Sequence, residues 1–128
     1  MSIIKILFFM FNVKMMREIA GNNCKSRTIE KRQKEFIVSI DNTICNTPDN
    51  NYEKATPILE NIEFFNELHE KGHKIHYWTS RGMISNKNWD LFTIEQLKCW
   101  NVKYTSLNMN KPCYDYWIDD KAVNIKDI

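Results

Sequence analysis

The chain has 128 residues, which allows one domain of ordinary size and excludes multidomain machinery. Hydrophobic residues make up 43% of it and Gly and Pro number three each, so collagen-like, linker-like and disordered classes are excluded. Its formal charge of +2, from 18 basic and 16 acidic residues, gives no support for nucleic-acid binding. Residues 1–35 hold eight Lys and Arg against three Glu, whereas residues 36–128 are mildly acidic. We therefore expect a basic N-terminal extension over residues 1–35 and one folded domain over residues 36–128.

The cysteines and the apolar N-terminal run indicate the cellular compartment in which we expect the protein. Four cysteines occur without a C-x-x-C pair or zinc-finger spacing, so we expect reduced thiols and a cytoplasmic protein. The apolar run Ile3–Phe11 contains Lys5 and ends long before the ~20 residues that a membrane span requires, so no span is predicted. A signal peptide and a short amphipathic element that packs on the domain are the two interpretations of this run, and we favour the second.

The first predicted elements form a strand-helix-strand unit. Phe36–Ile40 is short, apolar and β-branched, which is typical of a buried strand. Thr56 and Pro57 predict a helix start, with Thr as the N-cap and Pro at the first helical position. Gly72 predicts the end of this helix, and Lys74–Trp78 follows as the second strand. The apolar face of the predicted helix consists of Ile58, Ile62, Phe65 and Leu68.

The second half of the chain repeats the alternation of helix and strand. The capping-box pattern of Thr93 and Gln96 predicts the start of a second helix, and Val102–Leu107 predicts a third strand. Tyr116–Ile118 predicts a fourth strand, which runs directly into Asp119-Asp120. Strands separated by helices of this length favour right-handed crossovers. The sequence therefore predicts an α/β fold, a Rossmann-like three-layer sandwich with a parallel sheet and no cap domain.

Polar side chains follow every predicted strand. In open parallel sheets ligands bind beyond the carboxyl ends of the strands, so we expect these side chains to converge on one site. Taken singly, each of them is more often a turn or capping residue, but four such strand ends in one short chain favour a site. A hydroxyl, a lysine and three carboxylates suit Mg²⁺ and the phosphate that it commonly binds. The residues are Ser39, Asp41, Asn42, Thr43, Thr79, Ser80, Arg81, Lys111, Asp119 and Asp120.

These strand ends carry a family resemblance over about residues 36–125. Four segments resemble, in order, the four motifs of the haloacid dehalogenase-like (HAD) phosphatase superfamily: Ile37–Ile44, Trp78–Gly82, Lys111-Pro112 and Ile118–Asp120. The wider pattern, which includes Thr56-Pro57, Gln96-Leu97 and Tyr114-Asp115, is similar to small members described as capsule or polysaccharide biosynthesis phosphatases. The resemblance implies Mg²⁺-dependent hydrolysis of phosphate monoesters, with a sugar phosphate or related metabolite as substrate.

The resemblance also implies roles for individual residues. Asp41 would be the general acid/base and would offer Mg²⁺ its backbone carbonyl, while Asp119 would ligate the metal with Asp120 beside it. Thr79 would bind the phosphoryl group and Lys111 would steady its charge. The remaining phosphate-binding residues would be Asn42, Thr43, Ser80 and Arg81.

Ser39 departs from the family pattern, because the family has its nucleophilic aspartate at this position. A serine supplies no carboxylate and, without a neighbouring base, no activated nucleophile, so we expect weak or absent turnover. Three explanations stay open: a natural degenerate member, an engineered trap, and an enzyme that uses Ser39 or a metal-bound water. The alternative function is a noncatalytic pseudoenzyme that binds a phosphorylated ligand or a protein.

The spacing of the motifs leaves no room for a cap domain, since only about 35 and about 28 residues separate the first three. An open site would serve a large substrate or would take a lid from a neighbouring subunit of a homo-oligomer. Asn46–Lys54 is the candidate local flap. We expect a phosphorylated small molecule or saccharide as the partner and expect no nucleic acid.

Overall fold

A computed structural model describes residues 32–128 of the chain. The predicted basic extension and the apolar run Ile3–Phe11 lie outside these residues, apart from the last residues of the extension. Residues 33–115 form one compact unit, and residues 116–128 lie outside it. Within the described range no helix is long and apolar enough to cross a membrane.

The unit formed by residues 33–115 alternates strands and helices, as the sequence predicted. Two one-turn 3-10 helices, Pro48–Asn50 and Tyr52–Lys54, lie in the predicted flap. The strands and α-helices, in chain order, are β1 (Glu35–Val38), β2 (Cys45–Asn46), β3 (Thr56–Pro57), α1 (Leu59–Glu70), β4 (Lys74–Trp78), α2 (Asp90–Cys99) and β5 (Ser106–Asn108).

The main sheet has three parallel strands in the order β1-β4-β5. Val38 is in register with Tyr77, and Trp78 is in register with Asn108, so the carboxyl ends of the three strands meet at one edge. The short strands β2 and β3 form a separate antiparallel pair. The unit is therefore a mixed α/β fold in which a parallel sheet and two helices position the site.

Strand β4 and helix α1 supply much of the core. Ile75 and Tyr77 alternate with half-buried neighbours along β4, as expected for a strand with one face against helices. The buried face of α1 consists of Ile62, Phe64, Phe65 and Leu68, which includes three of the four predicted apolar positions. On the other face of β1, Ile37 is 71% exposed. The three-layer sandwich stays a prediction.

The predicted helix start at Thr56-Pro57 is wrong. These two residues form β3 and pair with β2, and the Ile58 N–H then donates to the carbonyl of Ile44 (2.9 Å). The backbone is thus extended and paired up to Ile58, and α1 begins at Leu59. Pairing with a distant segment overrides the local capping signal.

The predicted capping box in the second helix is also wrong. Helix α2 begins one turn earlier, at Asp90, where the Asn88 side chain accepts a hydrogen bond from the Asp90 N–H (2.9 Å). Thr93 is therefore an interior helical residue, and it is fully buried. Its hydroxyl and the Gln96 side chain contact another part of the chain, which is described below.

The later strand predictions differ in outcome. The third strand is shorter and later than predicted, Ser106–Asn108, because Asn101 at φ 56° ends α2 and the Val102 N–H donates back to Leu97. The predicted fourth strand is wrong: among the described residues Tyr116–Ile118 pairs with no strand, and Ile118 is 95% exposed. Apolar composition favours a strand, but a strand forms only beside a hydrogen-bonded neighbour.

Candidate functional site

Parallel pairing brings the ends of β1 and β4 and the segment after β5 together. The Thr79 N–H donates to the Asn108 carbonyl (3.0 Å), and the Lys111 N–H donates to the Thr79 carbonyl (3.0 Å). The backbone after β5 is thereby fastened to the end of β4. Thr79 and Lys111 are both buried, so their positions are set by the fold and not by solvent.

Ser39, Lys111 and Tyr114 form one group of contacts, which we call the lysine cluster. The Lys111 ammonium donates to the Ser39 hydroxyl (3.1 Å) and to the Tyr114 hydroxyl (3.2 Å). Its nitrogen also lies 5.0 Å from the centre of the Tyr114 ring. Two residues predicted for the site are thus in direct contact across 72 positions of sequence. Tyr114 is an addition that the sequence did not assign to the site.

Asp41 and Arg81 form the centre of a second group, which we call the arginine network. Arg81 donates from Nε to Asp41 Oδ2 (3.0 Å) and from Nη2 to Asp41 Oδ1 (2.8 Å), so the pair is bidentate. The Arg81 side chain has no exposed surface, and that of Asp41 is 20% exposed. The Thr47 hydroxyl also donates to Asp41 Oδ1 (2.7 Å). Both oxygens of the carboxylate therefore already accept hydrogen bonds from the protein.

Helix α2 completes the arginine network from the other side. Arg81 Nη1 donates to Gln96 Oε1 (2.8 Å) and to Thr93 Oγ1 (3.3 Å). These contacts explain why Thr93 and Gln96 are three residues apart: both lie on the same face of the helix, against the guanidinium. Arg81 is held by polar groups of this unit on both sides, and its predicted role in phosphate binding stays a prediction.

The predicted flap is attached to the arginine network through Tyr52. The Gln96 Nε2 donates to the Tyr52 carbonyl (2.8 Å), and the Tyr52 ring lies 4.7 Å from the Arg81 guanidinium carbon. The same ring packs edge-on against Trp89, with 5.0 Å between ring centres. Burial, followed by the negative charge of Asp41, raises the pKa of Tyr52, so its hydroxyl stays protonated. The flap is thus docked on α2 by polar and aromatic contacts.

The other predicted phosphate-binding residues lie in the turns that follow β1 and β4. Asn42, at φ 59°, accepts a hydrogen bond from the Thr47 N–H (3.2 Å), and the Thr43 carbonyl accepts one from Asn61 (2.8 Å). The Thr79 hydroxyl accepts from the Arg81 N–H (3.2 Å), and the half-buried Ser80 follows it. These residues shape the turns around the two groups, and their contact with a ligand stays a prediction.

Cys45 is a nucleophilic side chain beside Asp41 that the sequence analysis did not assign. Its sulfur lies 3.4 Å from the Thr47 hydroxyl oxygen and 3.7 Å from Asp41 Oδ1. Burial raises the pKa of the thiol, which keeps it protonated and unreactive at neutral pH. A buried, protonated thiol is a poor nucleophile, so Cys45 is not assigned a catalytic role.

Asp119 and Asp120 belong to the segment of residues 116–128. The Lys121 N–H donates to Asp119 (2.9 Å) and lowers the pKa of that carboxyl. A hydrogen bond with Asp119 raises the pKa of Asp120. Both side chains are exposed, and their role as metal ligands stays a prediction.

The groups of residues 33–115 do not by themselves fit Mg²⁺. This cation requires several oxygen ligands, usually with at least one carboxylate. The carboxylate at the strand ends of this unit is Asp41, and its two oxygens accept from Arg81 and Thr47. In the described part of the chain, no three His, Cys, Asp or Glu side chains group closely enough to hold a metal ion. Mg²⁺ binding therefore stays a prediction.

Sequence reasoning missed several residues that surround the predicted ones, namely Thr47, Tyr52, Thr93, Gln96 and Tyr114. For Thr93 and Gln96 the signal was present, because two polar residues three positions apart lie on one face of a helix and can share a partner. It was attributed to a helix cap instead. Tyr114 follows Lys111 by three residues, and nothing in that spacing alone predicts a contact.

Comparison with known proteins supports the fold. The chain is similar to the crystal structure of an MCSG target from Vibrio cholerae, with a TM-score of 0.67 and 26% sequence identity. The match covers 75% of this chain and 89% of that chain. No protein-family model matches the chain, and no curated protein matches it. The similarity supports the α/β fold and assigns no activity, since the matching protein is described only as a target.

Proposed function

We propose that this chain binds phosphate monoesters at the carboxyl ends of β1, β4 and β5 and hydrolyses them weakly or not at all. The observation that carries the proposal is the contact between the Lys111 ammonium and the Ser39 hydroxyl, which joins two of the strand ends. A buried ammonium beside hydroxyl groups is chemistry that suits a phosphate group. Under this proposal, the chain binds phosphate esters as the resembled phosphatases do but has little of their catalytic turnover.

Two features of the site support slow turnover. Ser39 supplies no carboxylate, so an aspartyl-phosphate intermediate does not form at this position. Asp41, the general acid/base that the resemblance implies, accepts hydrogen bonds from Arg81 and Thr47 at both oxygens. A carboxylate held in this way is poorly placed to carry a proton to a leaving group. The proposed site therefore lacks an aspartate nucleophile, and the group expected to act as general acid is held by other hydrogen bonds.

The resemblance supplies the finer parts of the proposal. The ligand would be a sugar phosphate or related metabolite of surface-polysaccharide synthesis, bound in the cytoplasm on a three-layer Rossmann-like domain without a cap. Mg²⁺ would be bound through Asp119 and Asp120. The flap of residues 46–54, or a second subunit, would cover the open site. The free thiols Cys45, Cys99 and Cys113 are consistent with a reducing compartment.

Phosphate release tests the proposal directly. We expect the chain to release little phosphate from an aryl phosphate or a panel of sugar phosphates with Mg²⁺, and Ser39→Asp to release it several orders of magnitude faster. Ser39→Asn is the matched control, because it has the shape of Asp without the charge. It should stay as slow as the unaltered chain.

If the unaltered chain turns over as fast as Ser39→Asp, the proposal is wrong, and the nucleophile is Ser39 or a metal-bound water. Mass spectrometry of the quenched reaction separates these two, because phosphoserine at position 39 forms only in a serine mechanism. If neither form releases or binds phosphate esters, a protein-binding pseudoenzyme is favoured.

A further inference from the structure

One face of the main sheet carries polar side chains that the proposed function does not use. Both neighbours of His76 in β4 are fully buried, so His76 itself lies on the opposite face, because successive side chains of a strand alternate. His76 is in register with Ser106 of β5 and with Ile37 of β1. Glu35 is two residues before Ile37 and therefore lies on the same face. Side chains from all three strands thus meet in one row.

Ser106, His76 and Glu35 form a continuous chain of hydrogen bonds. His76 Nε2 lies 3.3 Å from Glu35 Oε1, and His76 Nδ1 lies 2.6 Å from the Ser106 hydroxyl oxygen. An ionised carboxylate only accepts hydrogen bonds, so the proton of the neutral imidazole is on Nε2, and Nδ1 accepts from the Ser106 hydroxyl. A carboxylate that orients a histidine, with a hydroxyl bonded to the unprotonated nitrogen of that histidine, is the geometry of an activated serine nucleophile.

Asn108 and an adjoining groove complete this cluster. The Asn108 side-chain amide donates to the Ser106 hydroxyl oxygen (3.0 Å), the atom on which negative charge develops when the hydroxyl loses its proton. A groove of about 430 Å³ lies beside these groups, and its volume is that of a site for a small organic molecule. Its lining combines apolar side chains with amide groups. The residues that line it are Ile37, His76, Trp78, Asn108, Met109 and Asn110.

We propose that Ser106, His76 and Glu35 form a catalytic site that hydrolyses carboxylic esters with a small apolar group. Ser106 is the nucleophile and His76 is the general base, and both touch the reacting atoms. Glu35 is a positioning residue, because it acts through His76. This activity goes beyond the proposed function, since it uses neither Ser39 nor Lys111 and no step in it uses a metal ion.

The reaction balances with water as the second substrate. Ser106 Oγ attacks the carbonyl carbon of the ester, and its proton passes to His76 Nδ1. The bond between that carbon and the alcohol oxygen then breaks, and His76 gives the proton to the alcohol. Water attacks the acyl group on Ser106 in the same way, its proton passes through His76 to the serine oxygen, and the carboxylic acid leaves.

Hydrolysis of para-nitrophenyl butyrate by the full chain tests this inference, in a buffer that contains EDTA. We expect release of nitrophenol that saturates with substrate concentration. Ser106→Ala and His76→Gln should each lower kcat/KM by about 100-fold or more. Ser85→Ala is the matched control, because Ser85 is exposed and does not line the groove, and it should hydrolyse the ester as fast as the unaltered chain.

Glu35→Gln tests the positioning role. It keeps the length of the side chain and removes the charge that holds His76, so we expect kcat to fall about tenfold while KM stays within about twofold. A merely structural role would not lower kcat alone. Circular dichroism of every variant establishes that each one is folded.

Covalent labelling tests the nucleophile without any variant. A fluorophosphonate should react with the unaltered chain at Ser106, where the serine oxygen forms a bond to phosphorus, fluoride leaves and His76 takes the proton. Peptide mass spectrometry locates the label. The urea-unfolded chain and His76→Gln should not be labelled at this residue.

Ester hydrolysis and labelling at Ser106 that both disappear in His76→Gln support the inference. It is overturned if the chain hydrolyses the ester no faster than buffer does, or if Ser106→Ala remains as active as the unaltered chain. A label on Ser39, or equal labelling of Ser106 in the unfolded chain, would also overturn it. An unchanged kcat in Glu35→Gln would contradict the role of Glu35. The phosphate-release test of the proposed function does not depend on any of these results.

Discussion

The arginine network and the lysine cluster lie at the same edge of the sheet, yet they differ in how their hydrogen bonds are used. In the arginine network, donors and acceptors of the protein match one another: Arg81 donates to Asp41, Thr93 and Gln96. In the lysine cluster, the Lys111 ammonium donates to the hydroxyl groups of Ser39 and Tyr114. The first arrangement contains a buried ion pair, and the second joins a cation to two uncharged hydroxyl groups. Ser39 and Asp41 are two positions apart and belong to different groups.

This difference predicts that the same kind of substitution has opposite effects in the two groups. Removing a member of the arginine network leaves a charge or a polar group without its partner, which destabilises the folded state. Removing a hydroxyl from the lysine cluster removes one uncharged acceptor from Lys111 and leaves no buried charge without a partner. Stability should therefore report on the arginine network, and ligand affinity on the lysine cluster.

The largest expected effect on stability is that of Asp41→Ala. It leaves the Arg81 guanidinium buried without a counter-charge, and we expect the free energy of unfolding to fall by about 3 kcal/mol. This loss is at the lower end of the range for breaking a buried ion pair, because Asp41 is 20% exposed and its charge is partly screened by water. Urea unfolding, followed by circular dichroism, measures the change.

A double variant sharpens this test. Asp41→Leu with Arg81→Met removes both charges and fills similar volume, so it should be more stable than Asp41→Ala. If Asp41→Ala unfolds at the same urea concentration as the unaltered chain, the bidentate pair does not contribute to stability. The contrast between the two groups would then be wrong.

The next effect is that of Gln96→Ala, which removes the link between Arg81 and the flap. We expect a loss of about 1–2 kcal/mol of unfolding free energy and faster hydrogen exchange at the amides of Lys54 and Ala55. Both amides donate to carbonyls of the flap, those of Asn51 and Tyr52 respectively. The exposed neighbour Glu95→Ala is the control and should change neither quantity. Unchanged exchange in Gln96→Ala would show that the flap does not depend on this hydrogen bond.

The smallest effect on stability is that of Tyr114→Phe. Tyr114 is 50% exposed, and its ring is kept in the variant, so we expect the free energy of unfolding to change by less than about 0.5 kcal/mol. A large loss of stability here would place Tyr114 among the structural residues and would contradict the division between the two groups.

Local patterns predicted the elements whose signals agree with their tertiary surroundings. Lys74–Trp78 was predicted correctly because its alternation matches a half-buried strand and Gly72 ends the preceding helix. Thr56-Pro57 and Thr93 were misassigned, because capping patterns describe local hydrogen bonds, whereas these residues take part in contacts with distant segments. Tyr116–Ile118 has strand composition, but a neighbouring strand is not a property of the segment itself.

For the site, sequence indicated which strand ends carry polar groups but not how these groups pair. Ser39 and Lys111 are in contact, as convergence at the strand ends predicted. Arg81 was predicted to face a substrate, yet its guanidinium is buried against Asp41. Whether the Arg81 guanidinium faces a ligand or packs inside the protein depends on whether a protein acceptor lies within its reach. Only the folded chain determines this.

The contact between Ser39 and Lys111 has a consequence for folding kinetics. It closes a segment of 72 residues and requires β1, β4 and β5 to be assembled first, so it should form late, after the rate-limiting step. Interactions absent from the transition state change the unfolding rate and leave the folding rate almost unaltered. A phosphate held between these two residues would therefore prolong the lifetime of the native chain without helping it to fold.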